Sequence, residues 1–228
     1  MALGLFLLWG PGFFGKIGKK KKLTMLIKRI FDICASAVGI TFIFPFFIII
    51  VLLIKREDGG PVFYRGVRVG RYGHLFRIFK FCTMLVNAEK LAGPSTADDD
   101  SRITTFGKLL RKYKLDELPE LFNVLTGDMS IVGPSPAVEK YVRAYPEDFS
   151  DILKIRPGLS DYASIKYRDE EVILASHHNP EEHYLHVILP DKLRLAKRYA
   201  KEISFSTDLH IIRDTLRSIV ARCIASNG

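Results

Sequence analysis

The stretch from Ala37 to Ile54, AVGITFIFPFFIIIVLLI, contains no charged residue and limits the fold more than any other part of the chain. As one helix it would be about 27 Å long, close to the roughly 30 Å of a bilayer's hydrocarbon core. Its flanks are basic on both sides. Lys19 to Lys22, Lys28 and Arg29 precede it, and Lys55, Arg56, Arg65, Arg68 and Arg71 follow. Basic flanks stay in the cytoplasm, so both ends are expected on the same side. Pro45, in the middle, has no N–H to give a helix and marks where the chain can turn back. A re-entrant helix–break–helix reconciles these facts. A simple span across the bilayer competes with it, and charge and Pro45 alone leave the two level. Asp32 is the one acid near this stretch, available to pair with Arg29 or to cap a neighbouring helix.

With 228 residues, the chain has room for one globular domain besides the membrane element. Its net charge of +9 calls for an anionic partner. Nucleic acid, anionic lipid and phosphorylated substrates all qualify, and the apolar run favours the last two. Cys34, Cys82 and Cys223 are scattered, which fits neither a metal spacing nor a disulfide framework and suits a reducing cytoplasmic face. In Met1 to Phe14 the basic residues follow the apolar ones, the wrong order for a secretory signal. An interfacial anchor or a non-native extension fits better, with Trp9, Phe13 and Phe14 suited to a headgroup layer. The expected division is an N-terminal extension over 1–26, a membrane hairpin over 27–57 and a catalytic domain over 58–228.

The soluble part reads as α/β, mostly helical with a small β-hairpin. Pro61 to Arg65 and Leu75 to Phe81 have strand character around a turn at Gly70 to Gly73. Met84 to Leu91 reads as a short helix and Gly93 to Asp100 as a loop. Thr104 to Tyr113 is expected as a basic helix, and Glu117 to Leu125 as a second with Pro119 in its first turn. Gly127 to Pro136 reads as a constrained loop, Val138 to Tyr145 as a helix, Arg156-Pro-Gly as a turn, and the chain from Asp191 onward as helical. The spacing of Leu209, Ile212, Leu216, Ile219 and Val220 is that of an amphipathic core helix, and it also suits a helix lying on a membrane.

Asp116 and Glu117 are adjacent acids within a basic segment, Lys112-Tyr-Lys-Leu-Asp-Glu-Leu-Pro-Glu. Two acids at a helix start are ordinarily caps. Here the neighbours weaken that reading: Arg102, Arg111, Lys112 and Lys114 lie upstream, and Asn123, Asp128 and Gly133-Pro-Ser-Pro downstream. A carboxylate nucleophile must be ionised, a state that a helix N-terminus favours. To approach a phosphate it also needs a divalent cation and basic side chains to offset repulsion.

Several separated motifs carry a resemblance. KRIFDICAS, the apolar run with its proline, REDGGPVFYRGVRVGRYGHLFRIFKFCTM, SRITTFGKLLRKYKLDELPELFNVLTGDMSIVGPSP and IRPGLSDYA occur in that order. From about Ile27 to Val220 the chain resembles the bacterial sugar transferase family, the monotopic phosphoglycosyl transferases that start glycan assembly on a polyprenol phosphate. The resemblance implies a re-entrant helix broken near Pro45, a seat in the bacterial cytoplasmic membrane and a catalytic domain on its cytoplasmic face. It implies that Asp116 attacks the β-phosphate of a UDP-sugar and releases UMP. Undecaprenyl phosphate would then attack the phosphosugar-aspartate, with Glu117 assisting and Mg²⁺ held at Asp116. Lys80, Arg102, Arg111, Asn123, Asp128, Pro134, Ser135, Pro136 and Arg156 become the expected substrate- and phosphate-binding set. The implied partners are the UDP-sugar, undecaprenyl phosphate and anionic membrane lipid, with no nucleic acid; a homodimer is compatible with such an enzyme.

Two positions depart from the family pattern. Its Pro-Arg-Pro is Pro134-Ser135-Pro136 here, and its basic residue after Lys-Phe is Cys82. Arg156, Lys80 or Arg77 would have to supply the missing charge. His177, His178, His183 and His186 with Glu181 and Glu182 do not have a recognised zinc spacing and read as a solvated segment, as does Asp98-Asp99-Asp100. Gly66 to Gly73 lacks the following helix that a nucleotide loop needs. A non-catalytic basic scaffold on an anionic leaflet is the rival to the enzyme.

Overall fold

The computed structural model describes residues 19–86 and 102–225. Residues 1–18 of the expected 1–26 extension, most of the helix proposed for Met84 to Leu91 and the Gly93–Asp100 loop lie outside the described residues. Met84 itself forms an antiparallel bridge with Ile103.

One helix, α1 (Lys19–Asp58), carries the whole apolar run. Its helical backbone continues through Pro45, so a turn-back there requires a bend within the helix rather than a loop. A narrow stripe of Phe47, Ile50 and Ile54, spaced three and four apart, is buried against Phe81 and Leu110. Phe42, Phe44, Phe46, Ile49 and Leu52 point away from the protein. Only 17% of its most apolar window is buried, whereas the core helix of a soluble domain would be mostly covered. This is the one helix among the described residues long and apolar enough to cross a membrane.

Both ends of α1 are fastened to the same body. Near its start, the Arg29 guanidinium donates to the carbonyls of Val124 (2.6 Å), which also accepts from the Gly127 N–H, and Leu125 (3.0 Å), at the C-terminal end of a later helix. Asp32 neither pairs with Arg29 through a hydrogen bond nor caps a helix. Its two oxygens accept from the Ser130 hydroxyl (2.8 Å) and the Ile131 N–H (3.1 Å). Lys28 forms a 2.5 Å ion pair with Asp208, which also accepts from the Tyr199 hydroxyl (2.7 Å). At the far end, Glu57 accepts from the Phe106 N–H at 3.0 Å.

After α1 the chain forms the expected hairpin, split into two ladders. β1 (Phe63–Tyr64) pairs with β4 (Lys80–Phe81), and β2 (Val67–Val69) with β3 (Leu75–Arg77), all antiparallel. Helix α2 (Thr105–Lys112) opens on Thr104, whose hydroxyl accepts from the Gly107 N–H. A 3₁₀ turn (Leu115–Glu117) and α3 (Glu120–Thr126) follow.

The Gly127–Pro136 stretch is more than a loop: β5 (Ser130–Val132) runs parallel to β6 (Gly158–Ser160). Two glycines make this pairing possible. A Cβ on Gly158 would sit 2.0 Å from the Gly133 nitrogen, and one on Gly133 would sit 2.4 Å from the Arg156 carbonyl. Between these strands lie α4 (Glu139–Ala144) and α5 (Pro146–Ile152). The chain ends with α6 (Tyr162–Lys166), α7 (Glu170–Ala175), α8 (Pro180–His183), α9 (Leu189–Glu202) and α10 (Phe205–Ala225). The core-helix reading of α10 holds only for part of it. Ile211 is buried, while Leu209, Leu216 and Val220 are exposed beside Arg213 and Arg217.

Candidate active site

The acidic pair does not start an α-helix. Lys114 adopts left-handed backbone (φ 57°), and the chain turns from α2 directly into the 3₁₀ turn that holds Asp116 and Glu117. Helix α3 begins three residues later than expected, with Pro119 at its N-cap. Ionisation at Asp116 therefore does not depend on an α-helix N-terminus, as the sequence reading had supposed. It depends on the cations around it.

Four elements converge here. Strand β4 supplies Lys80, α2 supplies Arg111, the turn supplies Asp116 and Glu117, and the first turn of α3 supplies Glu120. Lys80 Nζ lies 2.9 Å from Glu117 Oε1 and 3.3 Å from Glu120 Oε1. Glu120, one helical turn beyond the pair, is a third acid that sequence reasoning did not single out. Its spacing from Asp116 and Glu117 is the signal that could have found it.

Burial and charge pull these groups in different directions. Burial pushes the Asp116 carboxyl up to about 6, against the pull of Lys80, Lys114 and Arg111. Burial likewise raises Glu120 to about 8, and Lys80 offsets only part of it. For Glu117 the cations Lys80, Lys114 and Lys192 outweigh burial and hold it below the usual range. Burial alone would lower Lys80, but Glu117, Glu120 and Asp116 reverse this and keep it charged. The arrangement is one permanently charged ammonium among three acids, with Asp116 mostly ionised at neutral pH.

Asp116 is 9% exposed, and its Oδ1 is buried without a hydrogen-bond partner. A capping acid would use its oxygens on backbone N–H groups. An orphaned carboxylate oxygen in a polar corner is what a nucleophile or a metal ligand presents. Among the described residues, no group of three or more His, Cys, Asp or Glu is arranged to hold a metal. Mg²⁺ fits such a site nonetheless, because it is commonly held by one or two carboxylates together with substrate phosphates.

The expected binding residues divide into three groups. Lys80 and Arg111 belong to the acidic corner; Arg111 Nε donates to the Thr83 hydroxyl at 2.9 Å. Asn123 stands behind it, fully committed to the fold: its Oδ1 accepts from the Phe79 N–H (2.8 Å) and its Nδ2 donates to the Arg77 carbonyl (2.9 Å). These bonds fix the backbone just before Lys80. Arg102 is buried, and its carbonyl accepts from the Leu85 N–H.

The remainder lies beyond the far end of α3. Asp128 accepts from the Thr126 hydroxyl, and Arg156 Nε donates to the Gly127 carbonyl at 2.9 Å. In the Pro134–Pro136 loop, Ser135 donates from its N–H (2.9 Å) and its hydroxyl (3.1 Å) to Asp161, which also caps α6. Ser135 is thereby tied into the fold, and among the expected substitutes for the missing charge Lys80 is the one at the acids. In the histidine segment the rings of His177 and His183 stack 3.5 Å apart, while Glu181 pairs with Lys140 and Glu182 accepts from Asn179.

Comparison with known proteins gives a concordant result. The family model described as bacterial sugar transferase matches residues 23–222. A UDP-N-acetylgalactosamine-undecaprenyl-phosphate N-acetylgalactosaminephosphotransferase of Aeromonas hydrophila is 39% identical over 142 residues, 61% of this chain and 34% of that protein. The undecaprenyl-phosphate galactose phosphotransferase of Salmonella typhimurium is 36% identical over 66% of this chain and 34% of its own length. The exopolysaccharide production protein ExoY of Sinorhizobium fredii is 35% identical over 63% of this chain and 70% of its own. The match thus spans about a third of the first and second of these relatives.

Proposed function

Because the chain belongs to the bacterial sugar transferase family, we propose that it moves a sugar 1-phosphate from a UDP-sugar to undecaprenyl phosphate and releases UMP. The orphaned Oδ1 of Asp116 is the observation that carries this reading. In the first displacement an ionised Asp116 oxygen attacks the β-phosphorus, the bond from that phosphorus to the oxygen of UMP breaks, and UMP leaves with the electron pair. In the second, a phosphate oxygen of the lipid attacks the same phosphorus and frees the aspartate. Dividing the transfer suits two substrates that arrive from different phases. Lys80, held charged between Glu117 and Glu120, faces the phosphoryl oxygens and offsets the repulsion between carboxylate and phosphate. Glu117, kept ionised by its lysines, assists the attack of the lipid phosphate. Mg²⁺ bound at Asp116 would neutralise phosphate charge.

The topology we propose is monotopic, with α1 bent near Pro45 and its two ends on the cytoplasmic face. Support comes from the attachments at Lys28 to Asp32 and at Glu57, which reach the same body. A straight helix over that distance would extend about 44 Å, and a spanning one would carry its ends to opposite faces. The exposed apolar face of α10 with Arg213 and Arg217 fits the same surface. Cysteine-accessibility labelling on either side of Pro45 tests this; finding Lys22 and Lys55 on opposite sides would refute it.

The reaction is tested by incubating the protein with UDP-sugars, Mg²⁺ and undecaprenyl phosphate and measuring UMP. Donor alone should leave a phosphosugar adduct on Asp116, detected by mass spectrometry. No UMP from any donor, with liposome binding that falls steeply with salt, would favour the scaffold instead.

A further inference from the structure

Arg111 comes from α2 and Lys192 from α9, and the charge of Arg111 bears on Asp116 and that of Lys192 on Glu117. Each is occupied by an acid from one short element. Arg111 Nη1 lies 3.3 Å from Glu171 Oε1, and Lys192 is ion-paired to Glu170. These acids are consecutive and form the first turn of α7. The cations are the better-held partners. Arg111 also donates to Thr83, and Lys192 lies 5.3 Å from the centre of the Tyr184 ring. The acids are the freer ones, with the Glu171 side chain 34% exposed against 15% for Arg111.

We propose that Arg111 and Lys192 together bind the phosphates of the nucleotide donor, and that Glu170 and Glu171 occupy them as a stand-in dianion until it arrives. The proposal rests on the phosphoglycosyl-transfer reading of this site and adds Lys192 and the α7 acids to it. An incoming diphosphate meets Asp116, Glu117 and Glu120, so its binding needs cations already aimed at it. The Glu170 and Glu171 side chains, 24% and 34% exposed, are partly open to water, which weakens their hold, while a guanidinium grips phosphate through two parallel hydrogen bonds. Exchange of one anion for the other therefore runs towards the donor.

The test is UDP binding in the presence of Mg²⁺, measured by calorimetry on the full chain in lipid nanodiscs, for wild type, E170Q/E171Q and K192M. The two variants should move in opposite directions. Freeing the cations should tighten UDP binding about three- to tenfold, the size expected for releasing weak ion pairs. K192M should loosen it by a similar factor, and the double variant should lower KM for the UDP-sugar more than it alters kcat. If the double variant does not fold, E170Q and E171Q singly carry the same expectation. UDP affinity that is unchanged or weaker on removal of the acids, or unchanged in K192M, overturns the proposal. If the variants show these binding shifts but the wild type releases no UMP from any donor, the reaction is overturned and the anion site stands.

Discussion

Two corners of this protein bury carboxylates, and they treat them in opposite ways. At the start of α1, Asp32 and Asp208 are each 2% exposed, and both are fully engaged: Asp32 by Ser130 and Ile131, Asp208 by Lys28 and Tyr199. At the other corner, Asp116 keeps a buried oxygen without a partner, beside Glu117 and Glu120, which share the Lys80 ammonium. The first corner is a joint. Its charges cost little beyond their desolvation because every lone pair that matters is used. The second is held under electrostatic stress, the condition expected where a group must react rather than bind structure together.

The largest effect that would break this contrast is at Asp116. Asp116→Asn should cut UMP release by about a thousandfold or more. An acid whose folded pKa is raised loses stability as pH climbs from its unfolded value through about 6, so at pH 7 the neutral amide should stabilise the fold by about 1–3 kcal/mol. Asp208→Asn should do the reverse, costing about 3 kcal/mol by stranding Lys28 while the folded fraction keeps its turnover. Paired thermal melts and UMP assays check both; equal losses of melting temperature would end the comparison.

Lys80→Met should lower turnover by about a hundredfold, as removal of a charge-stabilising group typically does. It also gives the sharper measurement, a pH profile. Wild-type turnover should fall about tenfold per pH unit below about 6, where Asp116 takes up a proton. Without the ammonium that lowers Asp116, this limb should move to higher pH. A limb that stays in place means that Lys80 does not set the charge of the nucleophile.

The smallest expected effect converts the quiet corner into a stressed one. Ser130→Ala removes the hydroxyl that donates to Asp32 and should cost about 1–2 kcal/mol, read from denaturant unfolding, with little change in activity.

The sequence made legible those features that are local. The hairpin follows from the β-rich Pro61 to Arg65 and the period-two alternation of Leu75 to Phe81 around the Gly70 to Gly73 turn, although the sequence reading omits β2 at Val67–Val69, and α2 is expected as a basic helix over its full length. The acidic pair stood out through its basic neighbours, and Lys80 and Arg111 are indeed beside it. What escaped was set by contacts between distant segments. β5 and β6 have three residues each, too few for a pattern, and only their pairing across Gly133 and Gly158 reveals them. A left-handed lysine at 114 leaves no mark in composition, so the acids were placed in an α-helix rather than a 3₁₀ turn. The resemblance put Asn123 in the binding set, and the sequence alone does not show that its amide pairs with the backbone of Arg77 and Phe79, more than forty positions away. Lys192, whose charge bears on Glu117, is placed by the packing of α9, which no spacing near the acids encodes.

The leucines on either side of the acids, Leu115 and Leu118, pack into the same cluster as Phe47, Ile50 and Ile54 of α1. The carboxylate proposed as the nucleophile is thus one side-chain layer away from the helix that faces outward. Whatever fixes how deep that helix sinks also fixes the height of the nucleophile, to within the give of a packed contact. In the proposed seat, a thinner or thicker lipid matrix would act on turnover as a lever, shifting where the two substrates meet without touching either of them.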